Sequence, residues 1–135
     1  MAEKNITVQF DGQRRFMASN ASGGTIIMDT AHPETHLTPM ETLLGALGGC
    51  TGYDVVSIME KKKQPMSSYR IEITGETVDD YPKRYQRIVV THIASGPNVT
   101  LAALQRAVQL SHEKYCSVSA SLNAVIETKA VVEEK

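Results

Sequence analysis

The chain predicts an α+β fold, on three observations. Stretches of alternating apolar and polar residues fall into two groups, one N-terminal and one after Pro65. Between them runs one long helical pattern, Thr38 to Gln64, with start and stop signals at its ends. A second helical region, Thr100 to about Tyr115, precedes a last strand-like stretch. The 135 residues suit a single domain, 1–135, and no repeat or linker rich in Pro, Gly or Ser divides them.

Taken in order, Ile6, Val8 and Phe10 alternate with polar residues, and Asp11-Gly12 is a hairpin turn signal. Arg14 to Ser19 is the returning strand, Asn20 to Gly24 a second turn, and Thr25 to Asp29 a third strand. Residues 30–37 read as loop. The long helix starts with Thr38 as N-cap, Pro39 at the first helical position and Glu41 completing a capping box. Lys61, Lys62 and Lys63 stand where the helix dipole favours cations, and Pro65 stops the backbone. Met40, Leu43, Leu44, Leu47, Thr51, Val55, Ile58 and Met59 form its apolar stripe. Gly45, Gly48, Gly49 and Gly52 cost helix stability on the order of 1 kcal/mol each. Close approach of another backbone or of a substrate accounts for them.

Beyond Pro65, Ser68 to Val78 alternates as a strand and residues 79–82 turn. Arg84 to Ser95 follows, with Ile88, Val90 and Ala94 on one face and Val89 and Ile93 on the other, the pattern of a central strand. Gly96-Pro97-Asn98 breaks the sheet ahead of the second helix. Ser117 to Asn123 suits one or two further helical turns, and Val125 to Val132 is the closing strand.

A net charge of −1 sustains no field for nucleic acid or an anionic membrane, and neither is expected as a partner. The stretch MAEKNITVQF has no apolar signal core, and no apolar run approaches a membrane span, so a cytoplasmic address is expected. There, two cysteines are thiols with chemistry or plain core residues before they are a standing disulfide.

Cys50 and Cys116 are the candidate nucleophiles, since a thiolate attacked by peroxide becomes a sulfenic acid that a second thiol converts to a disulfide. Either thiol needs a neighbour that lowers its pKa. Cys116 precedes a helical segment whose free N–H groups are such donors. Cys50, mid-helix, needs a cation, and Arg14, Arg15 and Arg106 are candidates. Glu41 is a candidate for orienting an arginine, although capping accounts for it. Asp54 fits the helix surface, one turn past Cys50. His32, His36, His92 and His112 show no ligand spacing with the cysteines, and no metal or cofactor is expected.

Two stretches carry a family resemblance. One is Thr38-Pro39-Met40-Glu41 through Gly48-Gly49-Cys50 to Asp54-Val55-Val56-Ser57-Ile58. The other is Ala107-Val108 through Ser111 to Glu113-Lys114-Tyr115-Cys116-Ser117-Val118. The chain resembles the OsmC/Ohr superfamily of thiol-dependent peroxidase-like proteins, and within it the YhfA-like branch. The resemblance implies antiparallel sheets wrapped around a long central helix in an intertwined homodimer. The glycine flank then serves close helix crossing between subunits. It also implies a peroxidatic role for Cys50 towards organic hydroperoxides and a resolving role for Cys116. The disulfide is reduced by an external dithiol of lipoyl or thioredoxin type. An arginine of the N-terminal hairpin, Arg14 or Arg15, faces the thiolate. In the peroxidases a glutamate directly after the helix-starting proline holds that arginine. Met40 stands there in this chain, with Glu41 rotated about 100° around the helix. The alternative reading is a non-catalytic dimer that binds a small hydrophobic ligand or senses redox state.

Overall fold

The structure, a computed structural model, describes residues 2–134. Their order is β1 (Thr7–Gly12), β2 (Arg15–Ser19), β3 (Thr25–Asp29), α1 (Pro39–Lys61), β4 (Ser68–Thr77), β5 (Tyr85–Ser95), α2 (Leu101–Leu110), a π-turn (Ser111–Tyr115), α3 (Ser117–Ala120) and β6 (Val125–Val132). The chain forms two compact units, one up to Leu43 and one from Leu44 onward.

In the first unit β1, β2 and β3 make an antiparallel sheet in that order. The pairs Val8↔Ala18↔Ile26 and Phe10↔Phe16↔Met28 collect its apolar residues on one face. Most of that face stays exposed, Val8, Phe10, Phe16 and Ile26 included. The hairpin turn lies two residues later than expected. Gln13 and Arg14, both with positive φ, form it, while Gly12 takes φ +89° beside a bulge that leaves Asp11 unpaired. A two-residue turn with two positive φ values has the twist that antiparallel strands need. The shift takes Arg14 out of β2, which begins at Arg15.

The capping box forms as expected. Thr38 Oγ1 accepts from the Glu41 N–H at 3.2 Å, and Glu41 Oε1 accepts from the Thr38 N–H at 3.0 Å. The other end differs. α1 stops at Lys61, short of Gln64, because Lys63 turns left-handed at φ +59°. The Gln64 N–H then bonds to the Met59 carbonyl and the Lys63 N–H to that of Glu60, closing a Schellman motif before Pro65 is reached.

The second unit is a three-stranded sheet, β4-β5-β6, with β5 in the middle as its two-faced burial suggested. The expectation of antiparallel sheets needs correction here. β4 and β5 are antiparallel, but β6 runs parallel to β5, because the chain returns through α2, the π-turn and α3 before it pairs. One face carries Arg70 paired with Glu72 and Glu133, and Arg87 paired with Glu76 and Glu127. The other carries Tyr69, Ile71 and Ile73 of β4 and Ile88, Val90, His92 and Ala94 of β5. It meets α1, whose buried row narrows to Leu47, Thr51, Val55 and Met59 at four-residue spacing, while Met40 and Leu43 remain exposed. Val55 and Met59 join Ala94, Leu104, Ala107 and Val108 in one core cluster; Leu47 joins Tyr85, Ile88, Val90 and Cys116 in another.

Two of the helix glycines are explained by contacts within the chain. A Cβ on Gly48 would lie 2.8 Å from Ile73 Cδ1, and one on Gly52 would lie 3.1 Å from Ile71 Cδ1. A Cβ on Gly49 would meet nothing outside its own helix backbone within 4 Å among the described residues. By length and hydropathy alone α1 is able to span a membrane, contrary to the reading that no apolar run approaches that length. Its apolar row is instead packed into the core just described.

Candidate functional site

Cys50, half-buried on α1, and Cys116, buried where the π-turn meets α3, are free thiols in one cluster with Leu47, Tyr85, Ile88 and Val90. The π-turn sets the position of Cys116: its N–H reaches back five residues to the Ser111 carbonyl at 2.7 Å. Helices that widen in this way do so often at functional sites. The Cys116 Sγ accepts the Ser119 N–H at 3.4 Å. Burial pushes this thiol up to about 11; the Ser119 N–H works against the shift, while Cys50 and then Asp54 add to it. The expectation that the following helix activates Cys116 is therefore corrected. α3 is only four residues long, one N–H reaches the sulfur, and desolvation outweighs it.

Three polar side chains tie the two cysteine-bearing segments together. Ser111 is fully buried, and its hydroxyl donates to Asp54 Oδ2 at 2.8 Å. Thr51, next to Cys50, lies with its hydroxyl 2.7 Å from Ser111 Oγ. Asp54 thus points inward, contrary to the surface position expected for it. A narrow cavity beside Cys116 is lined by Thr51, His112, Ser119 and Thr128 among others.

Next to this cluster, the Tyr69 hydroxyl is 2.6 Å from Nδ1 of the fully buried His92. Burial holds the imidazole down to about 4, and burial followed by the charge of Asp54 raises the Tyr69 phenol. Among the described residues His92 Nε2 has no hydrogen-bond partner. The parity of β5 carried this signal, because His92 falls in step with Ile88, Val90 and Ala94. Tyr69 lies beside Gly52 and lines an open groove of about 480 Å³ together with Gly45, Gly48, Gly49 and Tyr53.

Apart from Arg106 of α2, the remaining sequence candidates belong to the first unit. Arg15 Nε lies 3.4 Å from Asp29 Oδ2, and the same oxygen is 2.9 Å from His32 Nδ1. Burial raises the Asp29 carboxyl, but His32 and the Ala31 and His32 N–H groups outweigh it and hold it at about 2. His32 is thus tied to the end of β3, whereas the sequence suggested a solvated loop residue. Arg14 is exposed and lines a pocket of about 500 Å³ with Val8, Phe10, Phe16, Met28, Thr30 and Pro39. Glu41 closes the capping box. Arg106 bonds to Gln109 on the exposed side of α2. Among the described residues no three His, Cys, Asp or Glu side chains converge as metal ligands.

Residues 32–130 match the family model described as OsmC-like protein. The chain belongs to the OsmC-like family. Protein YhfA of Escherichia coli strain K12 is 38% identical over 111 residues, 82% of this chain and 83% of that protein. Among solved structures, a hypothetical protein from Aquifex aeolicus VF5 is similar over the whole of both chains, with 33% identity and a TM-score of 0.88. The organic hydroperoxide resistance protein OhrB of Bacillus subtilis shares the OsmC-like fold at a TM-score of 0.61 and 15% identity, covering 98% of each chain.

Proposed function

We propose that this OsmC-like protein is a thiol-dependent peroxidase that reduces organic hydroperoxides through Cys50 and Cys116. The observation that carries this reading is the meeting of two free thiols, one half-buried and one buried, in a single cluster. The fold shared with a protein named for organic hydroperoxide resistance supports it.

In the proposed cycle the Cys50 thiolate attacks the outer oxygen of ROOH. An S–O bond forms, the O–O bond breaks, and the alkoxide leaves and takes a proton as ROH. Cys116 then attacks the Cys50 sulfur. An S–S bond forms, and the hydroxide of the sulfenic acid leaves as water with the Cys116 proton. An external dithiol, lipoyl or thioredoxin in type, reduces the disulfide. A cation stabilises the thiolate and the departing alkoxide. The reading assigns that cation to Arg14 or Arg15, of which Arg15 has its carboxylate in Asp29. Glu41 serves the same site by fixing the helix start.

The proposal includes a single domain over 1–135, a homodimer and a cytoplasmic setting. Exposed apolar residues on the first sheet and Tyr53 and Val56 on α1 support a second copy, because patches of this kind mark interaction surfaces. The test of the reaction is Cys116→Ser treated with one equivalent of an organic hydroperoxide. A sulfenic acid at Cys50, trapped by a dione probe, is expected. A Cys50 that remains a thiol in folded protein removes the peroxidase reading.

The apolar pocket beside Arg14 favours a second reading, a binding module for a small hydrophobic ligand. Ligand binding that survives Cys50→Ser, without turnover in the parent protein, would establish it.

A further inference from the structure

Ser111 occupies a junction that the thiol cycle alone does not explain. Its carbonyl accepts the Cys116 N–H at 2.7 Å, five residues on, which is the contact that makes this turn a π-turn. Its hydroxyl has one proton, donated to Asp54 Oδ2, so the Thr51 hydroxyl at 2.7 Å is the donor to Ser111 Oγ. Thr51 follows Cys50 in sequence, and Asp54 is one helical turn beyond it. One buried residue therefore ties the backbone of Cys116 to the helix turn that carries Cys50.

We propose that Ser111, Asp54 and Thr51 are positioning residues for the thiol pair, locking the π-turn that ends in Cys116 onto the turn of α1 that carries Cys50. This rests on the proposed Cys50–Cys116 cycle and adds to it the device that aligns the second step. Attack on a disulfide or sulfenic sulfur needs a near-linear approach. A fixed pair of segments makes that step intramolecular at high effective concentration. Asp54 has a second consequence. Its carboxylate acts on Cys116 together with Cys50 from the same helix. His112 of the π-turn lines the cavity beside Cys116, Tyr85 of β5 shares its cluster, and Tyr69 of β4 feels the Asp54 charge. Burial first, then Cys50, then Asp54 raise the Cys116 thiol, and Asp54 is the one of these that a single substitution removes without opening the cluster.

The test uses a dipyridyl disulfide probe on the full chain and needs no peroxide. At low pH, Cys50 takes up one thiopyridyl group and releases one thiopyridone. After a jump to higher pH, Cys116 loses its proton to solvent and attacks the Cys50 sulfur. The protein disulfide forms and a second thiopyridone leaves, which is read by absorbance. Thr51→Val and Ser111→Ala are expected to close at least about tenfold more slowly than the parent protein. Asp54→Asn keeps an acceptor for Ser111 and is expected to move the pH midpoint of closure downward, a change that a purely structural role would not produce. Parental closure rates in Thr51→Val and Ser111→Ala, or an unmoved midpoint in folded Asp54→Asn, overturn the proposal. If Ser111→Ala does not fold, near-isosteric Thr51→Val carries the rate test. Normal closure in the parent protein, combined with a Cys50 inert to hydroperoxide, would remove the peroxidase reading and leave this inference standing.

Discussion

The Tyr69 hydroxyl lies 2.6 Å from His92 Nδ1, while Nε2 of the same fully buried ring has no partner among the described residues. A β5 position that in a purely apolar core would hold valine or isoleucine thus holds an imidazole that the fold keeps neutral, down at about 4. The unfolded chain takes up a proton near pH 6.5, and the folded chain only near 4. Stability attached to His92 is therefore full above pH 6.5 and falls as the pH drops towards 4, by about 3 kcal/mol at the limit. Urea unfolding between pH 7 and pH 4.5 should show this slope, and His92→Gln should flatten it. Tyr69→Phe should cost about 1–3 kcal/mol at pH 7 by leaving Nδ1 unpaired.

Asp29 acts in a lower window. Its folded value, about 2, lies below the ordinary 3.8, so its contribution is present above pH 4 and disappears as the pH falls through 2. Asp29→Asn should raise the pH of acid unfolding. It should also loosen His32, visible as a changed imidazole shift in NMR spectra.

The capping box is reciprocal, and its two halves should not add. Thr38→Ala and Glu41→Ala are each expected to cost about 1 kcal/mol. The double variant should cost clearly less than the sum, because each change already breaks the shared arrangement. Chemical denaturation of the three variants measures the coupling.

Two glycines, Gly75 of β4 and Gly49 of α1, separate packing within the chain from packing against any second copy. Gly75→Ala would place a Cβ 2.5 Å from Tyr85 Cε1 and should destabilise the fold by about 1–3 kcal/mol. A Cβ on Gly49 would meet nothing outside its own helix backbone within 4 Å among the described residues. If a second copy packs there, Gly49→Ala weakens association by about tenfold, read by sedimentation over a dilution series. A solvated surface would instead gain about 1 kcal/mol of helix stability, and dimer dissociation would not change.

Much of this architecture was legible locally. The strands, the helix start at Thr38 and the inward parity of β5 depend on residues within a few positions of one another, where propensity and periodicity act. Errors arose where two local signals competed. Asp11-Gly12 is a good turn pair, yet the bulge at Gly12 moved the turn to Gln13 and Arg14. Pro65 is a good terminator, yet Lys63 ended the helix first.

The family of the chain was present in the sequence alone, through the helix around Cys50 and the stretch around Cys116. Only the tertiary structure decided that β6 runs parallel to β5, that Asp54 faces inward and that Cys116 is held as a thiol. The reason is distance along the chain. Asp54 and Ser111 are separated by 57 positions, and their hydrogen bond has no periodicity to announce it. Desolvation of Cys116 likewise depends on a cluster assembled from α1, β5 and the segments after α2, which exists only once the chain has folded.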